Sequence, residues 1–199
     1  MKITVITGSP RKNGNTFAMV DSFIRSAEAK GHEVMRFDAA MMNIGGCHAC
    51  MTCFKTGKAC SFDDDFNIIA PHILDTDAIV YAMPVYWYSI PAQIKGVIDK
   101  VFSFCVAEKP ISGKKMGLIC CCEEHDASVM EGVRMPMERT ASLLKCLRWP
   151  GQRLGWGCNA SPPCRPSQAL RLKATVRAGY RHSAWATGTA TLSVESEKS

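Results

Sequence analysis

Residues 2–16 read KITVITGSPRKNGNT. The first six, Lys2–Thr7, form a short apolar run rich in β-branched residues, which is the signature of a buried strand. Gly8 ends that run and opens a polar loop, Gly8-Ser9-Pro10-Arg11-Lys12-Asn13-Gly14-Asn15-Thr16. Beyond it, Phe17, Val20, Ile24 and Ala27 recur at helical spacing, predicting a helix over 16–30. Strand, tight polar loop and helix in that order form an anion site in open parallel sheets, because the helix N-terminus presents unpaired backbone N–H groups. Ser9, Asn15 and Thr16 add side-chain donors and Arg11 adds charge, while Gly8 and Gly14 let the backbone close around a phosphate. The loop has neither the G-x-x-x-x-G-K-[ST] pattern of a nucleoside triphosphate site nor the G-x-G-x-x-G of a dinucleotide site, so its ligand should be a monophosphate. Read alone, the same string also suits an ordinary polar turn with a threonine cap.

The rest of the first three-quarters of the chain repeats this alternation. Gly31 stops the first helix, and residues 33–37 read as a second strand. Asp63, Asp64 and Asp65 form a capping cluster for a helix running to Leu74. Residues 78–82, AIVYA, read as a fully buried strand closed by Pro84. Ile94, Val97, Ile98, Val101 and Phe102, at offsets of 3, 4, 7 and 8, mark one face of the next helix. Residues 116–121, MGLICC, form a fourth strand, and a helix over about 136–146 follows. Such alternation implies an α/β domain with a parallel sheet and helices on both faces.

The net charge of +6 is unevenly placed. Residues 151–199 carry 7 basic and 2 acidic groups, leaving 17 against 16 in the first 150. The main domain therefore lacks the electrostatic footprint of a nucleic-acid binder. No stretch is apolar enough to span a membrane, and the N-terminal run is too short for a signal peptide, which together place the chain in the cytoplasm. Eleven cysteines in a reducing compartment argue for free thiols or metal ligands over disulfides. Residues 148–199 form an atypical tail with no Ile, Phe, Met or Asp. It reads either as a disordered extension or as an out-of-frame translation of GC-rich coding sequence. The fifth strand and last helix that this architecture calls for are not evident in it.

With both flanks of the sheet in view, the loop GSPRKNGNT resembles the phosphate loop of the flavodoxin-like NAD(P)H-dependent FMN reductases. The segment Met83–Asp99, MPVYWYSIPAQIKGVID, is similar to that family's P-x-Y-x-x-x-x-P-A-x-x-K-x-x-I-D motif. The resemblance covers roughly residues 1–147 and leaves the tail unmatched. It implies a flavodoxin-like three-layer sandwich with sheet order 2-1-3-4. It also implies that FMN is held by Ser9, Arg11, Asn13, Asn15 and Thr16 at its phosphate, and by Pro84, Val85, Tyr86, Trp87, Tyr88 and Ser89 at its ring. The residue chemistry agrees: an isoalloxazine needs apolar faces to stack on and backbone donors along one edge. The same aromatics would also suit packing against a helix or a second subunit, and the resemblance implies a homodimer or higher oligomer. It further implies that the turn at 121–124 approaches the ring, although consecutive Cys120, Cys121 and Cys122 also read as small strand-end filler.

Residues 45–62, GGCHACMTCFKTGKACSF, place Cys47, Cys50, Cys53 and Cys60 in a C-x2-C-x2-C-x6-C pattern. Such compact spacing suits an iron–sulfur cluster. Zinc is also possible with four thiolates, though crowded. Free thiols activated by Lys55, Lys58 or His48 are the third reading. The segment resembles the compact motif of the iron–sulfur flavoproteins, a branch in which a 4Fe–4S cluster passes single electrons to FMN. Unpaired His48, His72 and His125 give no histidine metal motif, and Met41 and Met42 read as core filler. The expected function is FMN-dependent transfer of electrons from NAD(P)H to a small-molecule or protein acceptor. The alternative is an iron–sulfur flavoprotein carrying single electrons without nicotinamide turnover. No side chain is assigned an acid–base role.

Overall fold

The computed structural model describes residues 1–124 and 126–148. Calls on the tail after 148 and on His125 therefore lie outside the described residues. The chain alternates through β1 (Lys2–Thr7), α1 (Asn15–Glu28), β2 (Glu33–Asp38), α2 (Phe66–Asp75) and β3 (Ala78–Pro84). It continues through α3 (Ala92–Lys100), α4 (Phe102–Val106), β4 (Lys115–Cys121), α5 (Glu131–Leu143) and β5 (Leu147–Arg148). All strand pairs are parallel, in the order β2-β1-β3-β4-β5. This is the flavodoxin-like three-layer α/β fold, and it holds one more strand than the sequence revealed. β5 is only two residues long, pairing Leu147 with Lys115 and Arg148 with Met116. Two residues cannot express a period, which is why they escaped a reading based on alternation.

β3 is the central strand, and its residues divide strictly by parity. Ala78, Val80 and Ala82 face one core, whereas Ile79, Tyr81 and Met83 face the other. A strand buried on both faces reads as a continuous apolar run, and each fully buried side chain of this size is worth about 1.5–3 kcal/mol. Val20, Phe23 and Ala27 of α1 cover the first face, together with Ile3, Val5 and Ile119. The other face is covered by α2, α3, α4 and α5 through Phe66, Ile94, Phe104 and Val133. No helix among the described residues is long and apolar enough to cross a membrane.

Two local readings change in the structure. α5 begins at Glu131, five residues before the expected start, and Pro136 lies inside it rather than opening it. The aspartates of 63–65 do little capping of α2. Asp64 accepts from Phe66 N–H, but Asp65 accepts from Asn43 N–H and Asp63 pairs with Lys58. Their main effect is to tie the cysteine loop to the domain.

β1 and β3 are joined where β1 ends: Gly8 N–H donates to the Ala82 carbonyl at 2.8 Å. A Cβ at Gly8 would lie 2.6 Å from Cβ of Ile94, a side chain with no exposed surface. Gly8→Ala should therefore push α3 off the sheet and cost about 1–3 kcal/mol, the usual range for overpacking. Urea unfolding measures this as a lower midpoint; an unchanged midpoint would contradict the close approach.

Candidate functional site

Three loops converge at the carboxyl edge of the sheet. In the first, residues 8–16, Ser9 Oγ accepts from Arg11 N–H at 3.2 Å and Gly14 N–H donates to Arg11 O at 3.0 Å. These bonds fold the loop into a tight turn ahead of α1. The α1 cap residue, Gly14, supplies no side-chain cap, and the first turn contains no acidic residue. The opening N–H groups of the helix thus face the loop without an intrahelical acceptor, and no acidic residue of the helix's own first turn opposes an anion there. Arg11, Asn13 and Asn15 are exposed around this point, whereas Ser9 and Thr16 are buried. Thr16 departs from the simple phosphate-ligand picture, since its Oγ1 lies 3.1 Å from Cys121 Sγ and so links α1 to the end of β4.

The second loop is a strained aromatic turn. Tyr86 and Ser89 form an isolated antiparallel bridge and exchange hydrogen bonds of 3.1 and 3.0 Å. The two central residues, Trp87 and Tyr88, have φ of 47° and 59°. Positive φ at both central positions is a type I′ turn, which normally selects Gly or Asn and costs bulky L-residues of order 1–3 kcal/mol each. Trp87 is 95% exposed, so burial within the chain does not offset that cost. Of the backbone donors expected to meet a ring, Val85 N–H is bonded to Cys121 O, and those of Tyr86 and Ser89 close the turn. The N–H groups of Trp87 and Tyr88 at its tip remain for a ligand. α5 meets this turn at Gly132, where a Cβ would collide with the Tyr88 carbonyl oxygen.

The third loop follows β4. Register places Cys121 opposite Pro84, so residues 121–124 run beside the aromatic turn. Tyr88 Oη donates to Glu124 Oε1 at 3.1 Å, and this bond, with the carboxylate's charge, holds the Tyr88 phenol above its ordinary value. Burial pushes the thiols of Cys120, Cys121 and Cys122 upward, so none is poised as a thiolate. Because Glu124 favours the protonated phenol, Glu124→Gln should return the Tyr88 pKa toward about 10. A spectrophotometric titration of tyrosinate, compared with a Tyr88→Phe control, measures the shift; an unmoved curve would remove the contact.

A second candidate site lies off the end of β2. Cys47, Cys50, Cys53 and Cys60 are all free and line one cavity, with His48, Lys100, Phe102 and Ser103 also in its wall. The cavity is water-sized, about 20 Å³, and Cys47 and Cys50 in its lining are exposed. Among the described residues no three His, Cys, Asp or Glu side chains converge as a single-ion site. Zinc would need all its sulfurs about 2.3 Å from one point. A cubane spreads one thiolate to each of several irons, so a thiol set wider than a single-ion site fits it by donor chemistry. Ala49, Met51 and Phe54 have positive φ between the cysteines, which turns the loop repeatedly. Cys50 is the thiol held below its ordinary value, and the cause is its 3.0 Å bond to the Thr52 hydroxyl, not Lys55, Lys58 or His48. Burial raises Cys53.

Beneath the cysteine loop lies an ion pair the sequence reading missed. Lys100, with a side chain 3% exposed, pairs with Asp64, 10% exposed. Asp64 also accepts from Gly45 N–H and Phe66 N–H, joining α3, the start of the loop and α2. The available signal was a charge three residues after Val97, at the border of an apolar stripe. Removing one partner of a buried pair strands the other charge, so Asp64→Asn should cost about 3–5 kcal/mol, while Asp64→Asn with Lys100→Met, which keeps an acceptor oxygen and removes the stranded charge, costs far less. Chemical denaturation of both variants gives the comparison, and equal losses would contradict the pairing.

Comparison with known proteins follows the same lines. The family description "NADPH-dependent FMN reductase" matches residues 1–137. An iron–sulfur flavoprotein from Archaeoglobus fulgidus is 35% identical over 104 residues, covering 52% of this chain and 47% of that protein. One from Methanosarcina thermophila is 34% identical over 100 residues, covering 50% of this chain and 52% of that protein. The chain thus spans about half the length of the curated relatives it matches. Among solved structures, NAD(P)H:quinone oxidoreductase from Methanothermobacter marburgensis aligns with a TM-score of 0.64 at 16% identity, over 81% of this chain and 85% of that one. That likeness concerns the fold.

Proposed function

Because the chain belongs to the NADPH-dependent FMN reductase family, we propose that it binds FMN at the carboxyl edge between β1 and β3 and moves electrons from a reduced nicotinamide to an acceptor. The observation that carries this reading is the strained, exposed aromatic turn beside an uncapped, acid-free helix N-terminus. FMN, when bound, supplies the redox chemistry, accepting an electron pair from NADH or NADPH and releasing electrons singly or in pairs. The chain's own residues bind and orient. Ser9, Arg11, Asn13, Asn15 and the first-turn N–H groups of α1 hold the phosphate, with Thr16 bracing that turn against Cys121. Pro84 and Val85 set the floor, Tyr86, Trp87 and Tyr88 give the ring a face, and Ser89 closes the turn. The tip N–H groups of Trp87 and Tyr88 orient the ring's polar edge. Trp87 at 95% exposure also gives a homodimer an apolar contact beside the site.

A specific observation favours a second redox centre in the same protein. Four free thiols line one cavity, and relatives matched over half of this chain are named iron–sulfur flavoproteins. In this reading Cys47, Cys50, Cys53 and Cys60 ligate a 4Fe–4S cluster, which supplies one-electron transfer, and the protein relays electrons between cluster and flavin.

The test is anaerobic purification of the full chain, with an absorption spectrum, flavin, iron and sulfide assays, and NADH and NADPH oxidation with and without added FMN. FMN retained near one per chain together with FMN-dependent nicotinamide oxidation is the expected result. About four irons per chain with a broad bleachable absorbance would add the cluster, and flavin without iron would remove it. A chain with neither bound FMN nor nicotinamide oxidation overturns the proposal.

A further inference from the structure

Ser103 is 3% exposed, stands in the wall of the cavity lined by Cys47, Cys50, Cys53 and Cys60, and has an Oγ without a hydrogen-bond partner. An orphaned buried hydroxyl is costly, of order 1–3 kcal/mol. A serine in a helix ordinarily escapes this cost by bonding the carbonyl one turn back, and Ser103, in α4, does not. Its helix is anchored through the next residue. Phe104, with no exposed surface, has its ring centroid 6.1 Å from that of Phe54 in the cysteine loop and 6.2 Å from that of Phe66 in α2. Packing therefore keeps Ser103 at the cavity wall, with its hydroxyl buried and unpartnered.

We propose that Ser103 Oγ donates a hydrogen bond to a sulfur of the iron–sulfur cluster held by the four cysteines, and thereby sets that cluster's reduction potential. The inference rests on the cluster reading given under Proposed function. The chemistry follows from charge. Reduction adds negative charge to the cluster, a donor to sulfur stabilises the more negative state, and hydrogen bonds to cluster sulfurs are an established lever on potential. Lys100, in the same wall, is less suited to this part, since Asp64 already holds its ammonium. Ser103 is a positioning and tuning residue and not a ligand, so its loss should leave iron binding intact.

The experiment uses the full chain in wild-type, Ser103→Ala, Ser103→Thr and Ser103→Val forms, reconstituted anaerobically with ferrous iron and sulfide. Each is titrated through a mediated redox series, with the reduced cluster followed by electron paramagnetic resonance and visible absorbance. Iron and sulfide content should be equal in all four. At fixed potential, the reduced-to-oxidised ratio should fall three- to tenfold in Ser103→Ala, tenfold being about 59 mV for one electron. Ser103→Thr should keep the wild-type value. If Ser103→Ala fails to fold by circular dichroism, the isosteric Thr and Val forms carry the same test, the Val form titrating lower. Equal potentials with full iron in every form overturn the role of Ser103 and leave the cluster reading standing. A wild-type chain that takes up no iron overturns both.

Discussion

The hydrogen bond from Gly8 N–H to the Ala82 carbonyl marks the constraint around which the structure is arranged. β1 and β3 lie side by side, yet the chain leaves β1 toward β2 and leaves β3 toward β4, on opposite sides. Loops departing in opposite directions open a crevice at the carboxyl edge, which no side chain needs to create. What the sequence then contributes is the lining. Gly8 is small enough for α3 to press close, so the loop after β1 and the aromatic turn start from one fixed platform. The register of β4 with β3 adds the third wall by bringing Cys121 opposite Pro84.

The buried Lys100–Asp64 pair performs the same service for the cysteine loop by a different force. Such a pair adds little net stability over an apolar replacement, because desolvation cancels most of the attraction. Its effect is positional. Asp64 uses its oxygens on Lys100, Gly45 N–H and Phe66 N–H at once, so the loop's entry point, α2 and α3 are referred to one carboxylate.

The fold is legible because β1, β3 and β4 are short, apolar and well separated. β1, β3 and β4 were each found within two residues, and the loop after β1 could be placed from Gly8 alone. β5 is not legible, since two residues have no pattern, and α5 starts five residues ahead of the expected 136, with Pro136 inside it. The aromatics of 86–88 and the four cysteines announced their sites by composition. Hidden from a linear reading was everything made by tertiary approach. Thr16 meets Cys121 across 105 residues and Tyr88 meets Glu124 across 36. Gly132 fits under the Tyr88 carbonyl, and Ser103 reaches the cavity wall from a helix whose sequence, FSFCV, shows only its apolar neighbours.

One element touches both candidate sites. α3 begins directly after the aromatic turn, takes the backbone of Ile44 and Gly45 against Gly96 at its middle, and ends at Lys100 in the wall of the cysteine cavity. An α-helix rises about 1.5 Å and turns about 100° per residue. Nine residues therefore act as a covalent ruler of about 13 Å between its two ends, with both distance and rotational phase fixed. Evolution could exchange the surfaces at either end freely, but inserting or deleting a residue between them would swing Lys100 out of its pocket. In this architecture, the spacing between the sites is a property of chain length in one helix.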